Sequence, residues 1–142
     1  MRKTITAIAL IALAGCATTP TPPNTAEQVS PDSIYGFQDR VTEDAGKITV
    51  IRDGGFTGSG CDFILYIDGK RAAKIGAAQK VSLYVKPGSI NIGSGPISSA
   101  ICSSAAIKTF ATDIGPRQEK LFRLNGDMQG FYLAPYIDYG GK

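Results

Sequence analysis

Residues 61–88 read CDFILYIDGKRAAKIGAAQKVSLYVKPG, a run of strand and turn signals. Over 61–67, Cys61, Phe63, Leu65 and Ile67 fall on one face with a period of two, the mark of a half-buried strand. Asp68-Gly69 follows, and both residues tolerate the positive φ of a tight hairpin turn. Residues 71–75 supply a short return strand. Over 80–86 the alternation is clean: Val81, Leu83 and Val85 point inward, while Lys80, Ser82, Tyr84 and Lys86 point outward. Pro87-Gly88 closes this strand, Pro presetting φ and Gly accepting the turn.

The same signals continue on both sides. Upstream, 47–52 (KITVIR) is a β-branched strand ended by Asp53-Gly54-Gly55. Downstream, 89–92 carries Ile90 and Ile92 on one face, and 106–112 and 120–124 are further strands. Asn125-Gly126 is a second hairpin signal. It leads into 130–135, with Phe131 and Leu133 on one face. No window shows a 3.6-residue apolar stripe; the small-residue stretch 98–105 reads as helix or loop equally well. Seven to eight short strands at this spacing predict an all-β domain over 35–142, an antiparallel β-sandwich.

Composition agrees. A length of 142 residues is that of one domain, and 43% hydrophobic with 19% charged residues suffices for a packed core. Histidine is absent, which removes Ser-His and Cys-His dyads, an imidazole base and imidazole metal ligands.

The first residues are an address. Met1-Arg2-Lys3 is a basic start, and 4–13 (TITAIALIAL) is an apolar run. That run is half of the roughly 20 residues a membrane-crossing helix needs, and it fits the core of a secretory signal peptide. Leu13-Ala14-Gly15-Cys16 then resembles the lipobox of bacterial lipoproteins: small residues admit the peptidase, and a thiol takes the diacylglyceryl thioether. The resemblance implies cleavage after residue 15, an N-acylated diacylglyceryl Cys16, and a membrane as partner. Several acyl chains on one residue give stable anchoring, at about 0.8 kcal/mol per buried CH₂. The alternatives are an ordinary signal peptide that holds a cysteine, or a buried strand. Ala17, rather than Asp, follows Cys16, which by the sorting rule of Gram-negative lipoproteins implies the outer membrane, facing the periplasm. Loss of 1–15 takes Arg2 and Lys3 with it. It leaves 127 residues, with 13 basic against 12 acidic side chains. No nucleic-acid partner is expected of so balanced a chain.

Residues 16–34, lipidated Cys16 followed by ATTPTPPNTAEQVSPDSI, hold four prolines and one large aliphatic before Ile34, Val29. This reads as a semi-extended tether with no fold of its own; the alternative is that it packs on the domain. Cys61 and Cys102 remain as an even pair in an oxidising compartment, and a disulfide between them is expected. Two buried free thiols are the alternative.

Several strings imitate sites. Gly58-Ser59-Gly60 lacks the spacing of a nucleophile elbow and has no histidine to activate it. Neither it nor Gly93-Ser94-Gly95 begins a dinucleotide fingerprint, because Phe63 and Ser98 occupy the last position. Asp53, Asp62 and Asp68 make a carboxylate cluster only if the fold gathers them; Asp53 and Asp68 read as turn residues. Glu43-Asp44 reads as a solvated loop. No calcium loop is present, and neither catalytic residues, a metal site nor a cofactor is expected. Phe131, Tyr132, Tyr136 and Tyr139 form an aromatic C-terminus, either a patch for a partner or core margin plus a frayed end. Tyr66 and Tyr84, beside Lys80 and Lys86 on two strands, read as outward-facing; they form either an aromatic–basic surface or, for Tyr66, part of the two-sided burial of a sandwich.

The order Val50-Ile51-Arg52, Gly55-Phe56, Gly58-Ser59, then Leu65-Tyr66-Ile67-Asp68-Gly69-Lys70 and Val85-Lys86-Pro87-Gly88 resembles small bacterial lipoproteins with a β-sandwich of the DUF2846 type. The Asp68-Gly69 hairpin and Pro87-Gly88 turn carry most of the likeness, and they are similar to PEGA-type surface domains as well. The resemblance implies an exported β domain and no particular activity. The expectation is a lipid-anchored envelope protein acting as a non-catalytic binding or structural module with an envelope protein partner. The alternatives are a lipoprotein that excludes phage or plasmids, and an envelope enzyme working without histidine.

Overall fold

The computed structural model describes residues 18–55, 60–98, 102, 106–127 and 129–138. The signal segment 1–15 with Leu13, Ala14 and Gly15, the proposed lipid site Cys16, Gly58-Ser59, most of 98–105 and Tyr139 lie outside them. The described residues form two facing sheets. One holds β1 (Glu27–Gln28), β5 (Gln79–Val85), β2 (Gly46–Arg52), β8 (Glu119–Asp127) and β9 (Gly130–Pro135), in that order. The other holds β4 (Lys70–Ile75), β3 (Phe63–Ile67), β6 (Gly88–Pro96) and β7 (Lys108–Ile114). The protein is an all-β sandwich.

The alternation that predicts the strands also packs them. Ile48, Val50, Leu65, Val81, Leu83, Ile92, Phe122 and Leu124 are buried between the sheets in one cluster. Each such side chain contributes roughly 1.5–3 kcal/mol by leaving water. Asp68 (φ 46°) and Gly69 (φ 78°) both take the left-handed conformation and close the β3–β4 hairpin. Pro87-Gly88 carries the chain from β5 to β6, and so from one sheet to the other.

Four expectations need correction. The four-stranded sheet is antiparallel, but the five-stranded one is mixed: β2 runs parallel to β8 and β1 parallel to β5. The chain passes through the whole opposite sheet between β2 and β8, and returns in the same direction. Asn125-Gly126 does not turn; it lies in β8 opposite Tyr132 and Phe131, and the hairpin is closed at Asp127–Gly130. A Cβ on Gly126 would sit 2.8 Å from the Phe131 ring, so this glycine makes room for an aromatic ring rather than for a turn. Tyr66 and Tyr84 belong to opposite sheets and share no surface.

Nor is 16–34 a free tether where it is described. Its described part, from Thr18 on, is a strap fastened to the sandwich. Thr18 N–H donates to the Gly126 carbonyl at 3.0 Å, and Thr19 and Gly54 exchange two backbone bonds at 2.9 Å. β1 pairs with β5, and Val29, 4% exposed, enters the core. Ile34 then bridges to Ala73 of β4. The strap thus crosses from one sheet to the other and seals the β5/β4 side. Prolines lack the amide donor a central strand needs, but an edge tolerates them, and the amides left at Thr25, Ala26, Glu27 and Val29 are all bonded.

Candidate functional site

The strand directions give the sandwich two ends. β2, β4, β6 and β8 finish at the end where β3, β5, β7 and β9 begin. An apolar cleft of about 330 Å³ opens there, lined by Cys61, Phe63, Pro96, Cys102, Lys108 and Phe131 among others. Its size lies at the lower limit for small-ligand sites.

One wall is the expected disulfide. Cys61 and Cys102 are joined, with Cα atoms 5.7 Å apart. The bond pins the start of β3 to the connection between β6 and β7. The floor is Phe63 on β3 against Phe131 on β9, ring centroids 4.6 Å apart. Pro96 sits opposite Phe63 at the end of β6. Beneath the rings lies Arg52, 1% exposed. Its guanidinium carbon is 4.7 Å from the Phe63 centroid and 5.7 Å from that of Phe131. Its Nη1 donates to the Ile75 carbonyl at 3.0 Å. Burial lowers this guanidinium from its ordinary value to about 10, with the Asp62 carboxylate opposing, so it stays charged at neutral pH. Cation–π contact with two rings is what a desolvated guanidinium gains in place of water. Lys108, exposed on β7, stands at the rim. Apolar walls with one cation at the mouth suit an apolar group that carries an anionic end.

Beside this cleft, on the outer face of the five-stranded sheet, is a second built feature. The Asp53 side chain is fully buried and takes Arg123 in a fork, Nε at 2.7 Å and Nη2 at 2.5 Å. Thr18 Oγ1 donates to the same carboxylate at 2.9 Å and accepts the Gly126 N–H at 2.9 Å. The hydrogen bonds to Asp53 raise the Arg123 pKa above its ordinary value. Asp53, expected as a turn residue, is therefore the acceptor that ties β2, β8 and the strap together.

The opposite end carries both turn signatures. Asp68, Lys70, Lys86 and Pro87 line a more polar hollow of about 450 Å³ with Phe37 and Tyr84, and Gly69 and Gly88 close the adjoining turns. Asp68 is a turn residue as expected, at φ 46°, and its Oδ1 also accepts the Asn91 amide of β6 at 2.9 Å. The three carboxylates are not gathered: Asp53 and Asp68 lie at opposite ends, and Asp62 faces Lys74 at 3.8 Å. Of the C-terminal aromatics, Phe131 joins the core margin while Tyr132 is 40% exposed. Among the described residues no three His, Cys, Asp or Glu side chains assemble.

Arg52 is the residue of this site that the sequence motifs do not single out. Its signal was present, since the period of two that places Ile48 and Val50 inward places Arg52 inward too. The Asp53–Arg123–Thr18 contact spans 35 and 70 residues and has no local signature. Comparison with family models, with characterised proteins and with solved structures finds no match to this chain.

Proposed function

We propose that this is a lipid-anchored cell-envelope protein, held through Cys16, whose sandwich is a non-catalytic binding module with the disulfide-walled cleft as its binding surface. The observation that supports this most directly is the Cys61–Cys102 bond at the cleft wall. Such bonds persist in exported, oxidising compartments, which agrees with the signal-peptide reading of residues 1–16. The apolar lining and the Lys108 rim favour a ligand with an apolar body and an anionic end.

Palmitate incorporation tests the anchor. Radiolabelled palmitate enters the wild-type chain and not Cys16→Ser; label retained by the variant overturns the reading. Binding is tested in the same preparation by crosslinking within envelopes. Phe131→Glu, which puts a charge on the cleft floor, should abolish capture, and an unchanged yield would remove the cleft from the proposal.

A further inference from the structure

The anchor reading and the strap together decide how the domain meets its membrane, and this inference rests on that reading. A free Pro-rich stretch of about 17 residues at 3.1 Å each would hold the domain about 50 Å from the bilayer. The strap does not run free. It is bonded to the sandwich from Thr18 onward, through Gly126, Gly54 and Asp53, then through Lys80 Nζ on the Pro23 carbonyl at 2.6 Å, and through Val29 in the core. Cys16 precedes Thr18 by two residues, a leash of about 7 Å. The interfacial layer between hydrocarbon and water is itself about 5–8 Å deep on each side of a bilayer. A thioether-linked diacylglycerol on Cys16 therefore brings the Thr18–Gly126 corner into the headgroup layer.

We infer that the cleft end of the sandwich is a membrane-facing surface, seated on the bilayer that holds the Cys16 lipid. Gly126, which holds Thr18, is the register partner of Phe131, which floors the cleft, so the strap corner and the cleft share one end of the sandwich. Lys108 stands where phosphates would lie, its Nζ 3.3 Å from the point a Cβ on Gly130 would occupy. Lysine beside apolar surface at an interface keeps its stem in the apolar layer and its charge in the headgroups. The opposite end, with the Asp68-Gly69 and Pro87-Gly88 turns, is then displayed to the aqueous side.

The chain contains no tryptophan, so one introduced residue reports alone. Lipidated full-length protein is reconstituted in phosphatidylethanolamine/phosphatidylglycerol nanodiscs with brominated acyl chains. Tryptophan introduced by Tyr132→Trp should be quenched at least twofold more than that introduced by Tyr84→Trp at the far end. Gln129→Trp, at an exposed hairpin position, is the second near-end reporter should Tyr132→Trp fold poorly. Ten Gly/Ser residues inserted after Ala17 should erase the difference. Equal, weak quenching at both ends in palmitate-labelled protein overturns the seating and leaves the anchor standing. Stronger quenching at the far end overturns it too. Absence of label overturns the anchor, and the seating with it.

Discussion

The Asp53 carboxylate has no solvent contact and three donors from two directions, the Arg123 fork and the Thr18 hydroxyl. Removing one partner of a buried pair costs more than the pair contributes, because the survivor keeps its desolvation penalty. Arg123→Ala should therefore cost about 3 kcal/mol, the low end for a buried pair, since the arginine is itself partly exposed. Asp53→Ala should cost a comparable amount. The double variant should cost clearly less than the sum, because neither charge is then stranded. Urea midpoints of the three variants check this; strict additivity would mean that the fork contributes nothing as a pair. Thr18→Val should cost about 1 kcal/mol, one hydroxyl's hydrogen bonding. At Gly126 the quantity at stake is space. Gly126→Ala places a methyl 2.8–3.1 Å from three carbons of the Phe131 ring. Overpacking of this kind costs about 1–3 kcal/mol. The ring cannot shift freely, because Phe63 packs on it at 4.6 Å, so the loss should appear both in the thermal midpoint and in the Phe63 ring resonances.

Among the elements, the strap separates what local pattern reveals from what it hides. Thr19 and Val29 amides donate to the Gly54 and Lys80 carbonyls. Hydrogen exchange at these amides should be slowed at least a hundredfold against a free peptide of the same sequence, whereas a tether exchanges at the free rate. Val29→Asp, a charge in the core without a partner, should release the strap and return these amides to the free rate. β3, β5, β6 and β9 are legible through a period-two pattern of their own, and β2, β4, β7 and β8 through β-branched or apolar content and the turn residues around them. The Asp68-Gly69 hairpin was legible for the same reason. β1 was not: two residues, Glu27 and Gln28, have no period, and their pairing with β5 is set by Val29 and Ala26 finding buried positions some fifty residues away along the chain. The extension of β6 through Gly93 and Gly95 was hidden as well. These glycines look like a loop, but Cβ atoms there would meet Ile107 at 3.2 and 3.0 Å, so they are strand residues kept small by Ile107, just before β7. The cleft was half legible. Its disulfide follows from counting cysteines, while its aromatic floor needs Phe63 and Phe131 to meet across the two sheets.

For the whole molecule the question is what the Cys61–Cys102 staple holds. It closes a loop across a separation of 41 residues, worth about 4 kcal/mol if it acts only by restricting the unfolded chain. Cys61→Ser/Cys102→Ser should lower the unfolding free energy by that amount, read from urea midpoints with the slope unchanged or slightly increased. A staple that acts only on the unfolded chain leaves native-state local opening untouched at both ends. One that also holds the cleft wall does not. Two amides distinguish the cases. Ile97 N–H donates to the Asp62 carbonyl at 2.8 Å, one residue from the staple, and Asp68 N–H donates to the Asn91 carbonyl at 2.9 Å at the far end. Under strongly native conditions the double variant should lose protection at Ile97 by tenfold or more and keep it at Asp68, since β3 and β6 remain paired from Phe63–Pro96 to Ile67–Ile92. Equal protection at both amides, before and after removal, would assign the whole effect to the unfolded chain. The cleft would then be shaped by Phe63, Phe131 and Arg52 alone.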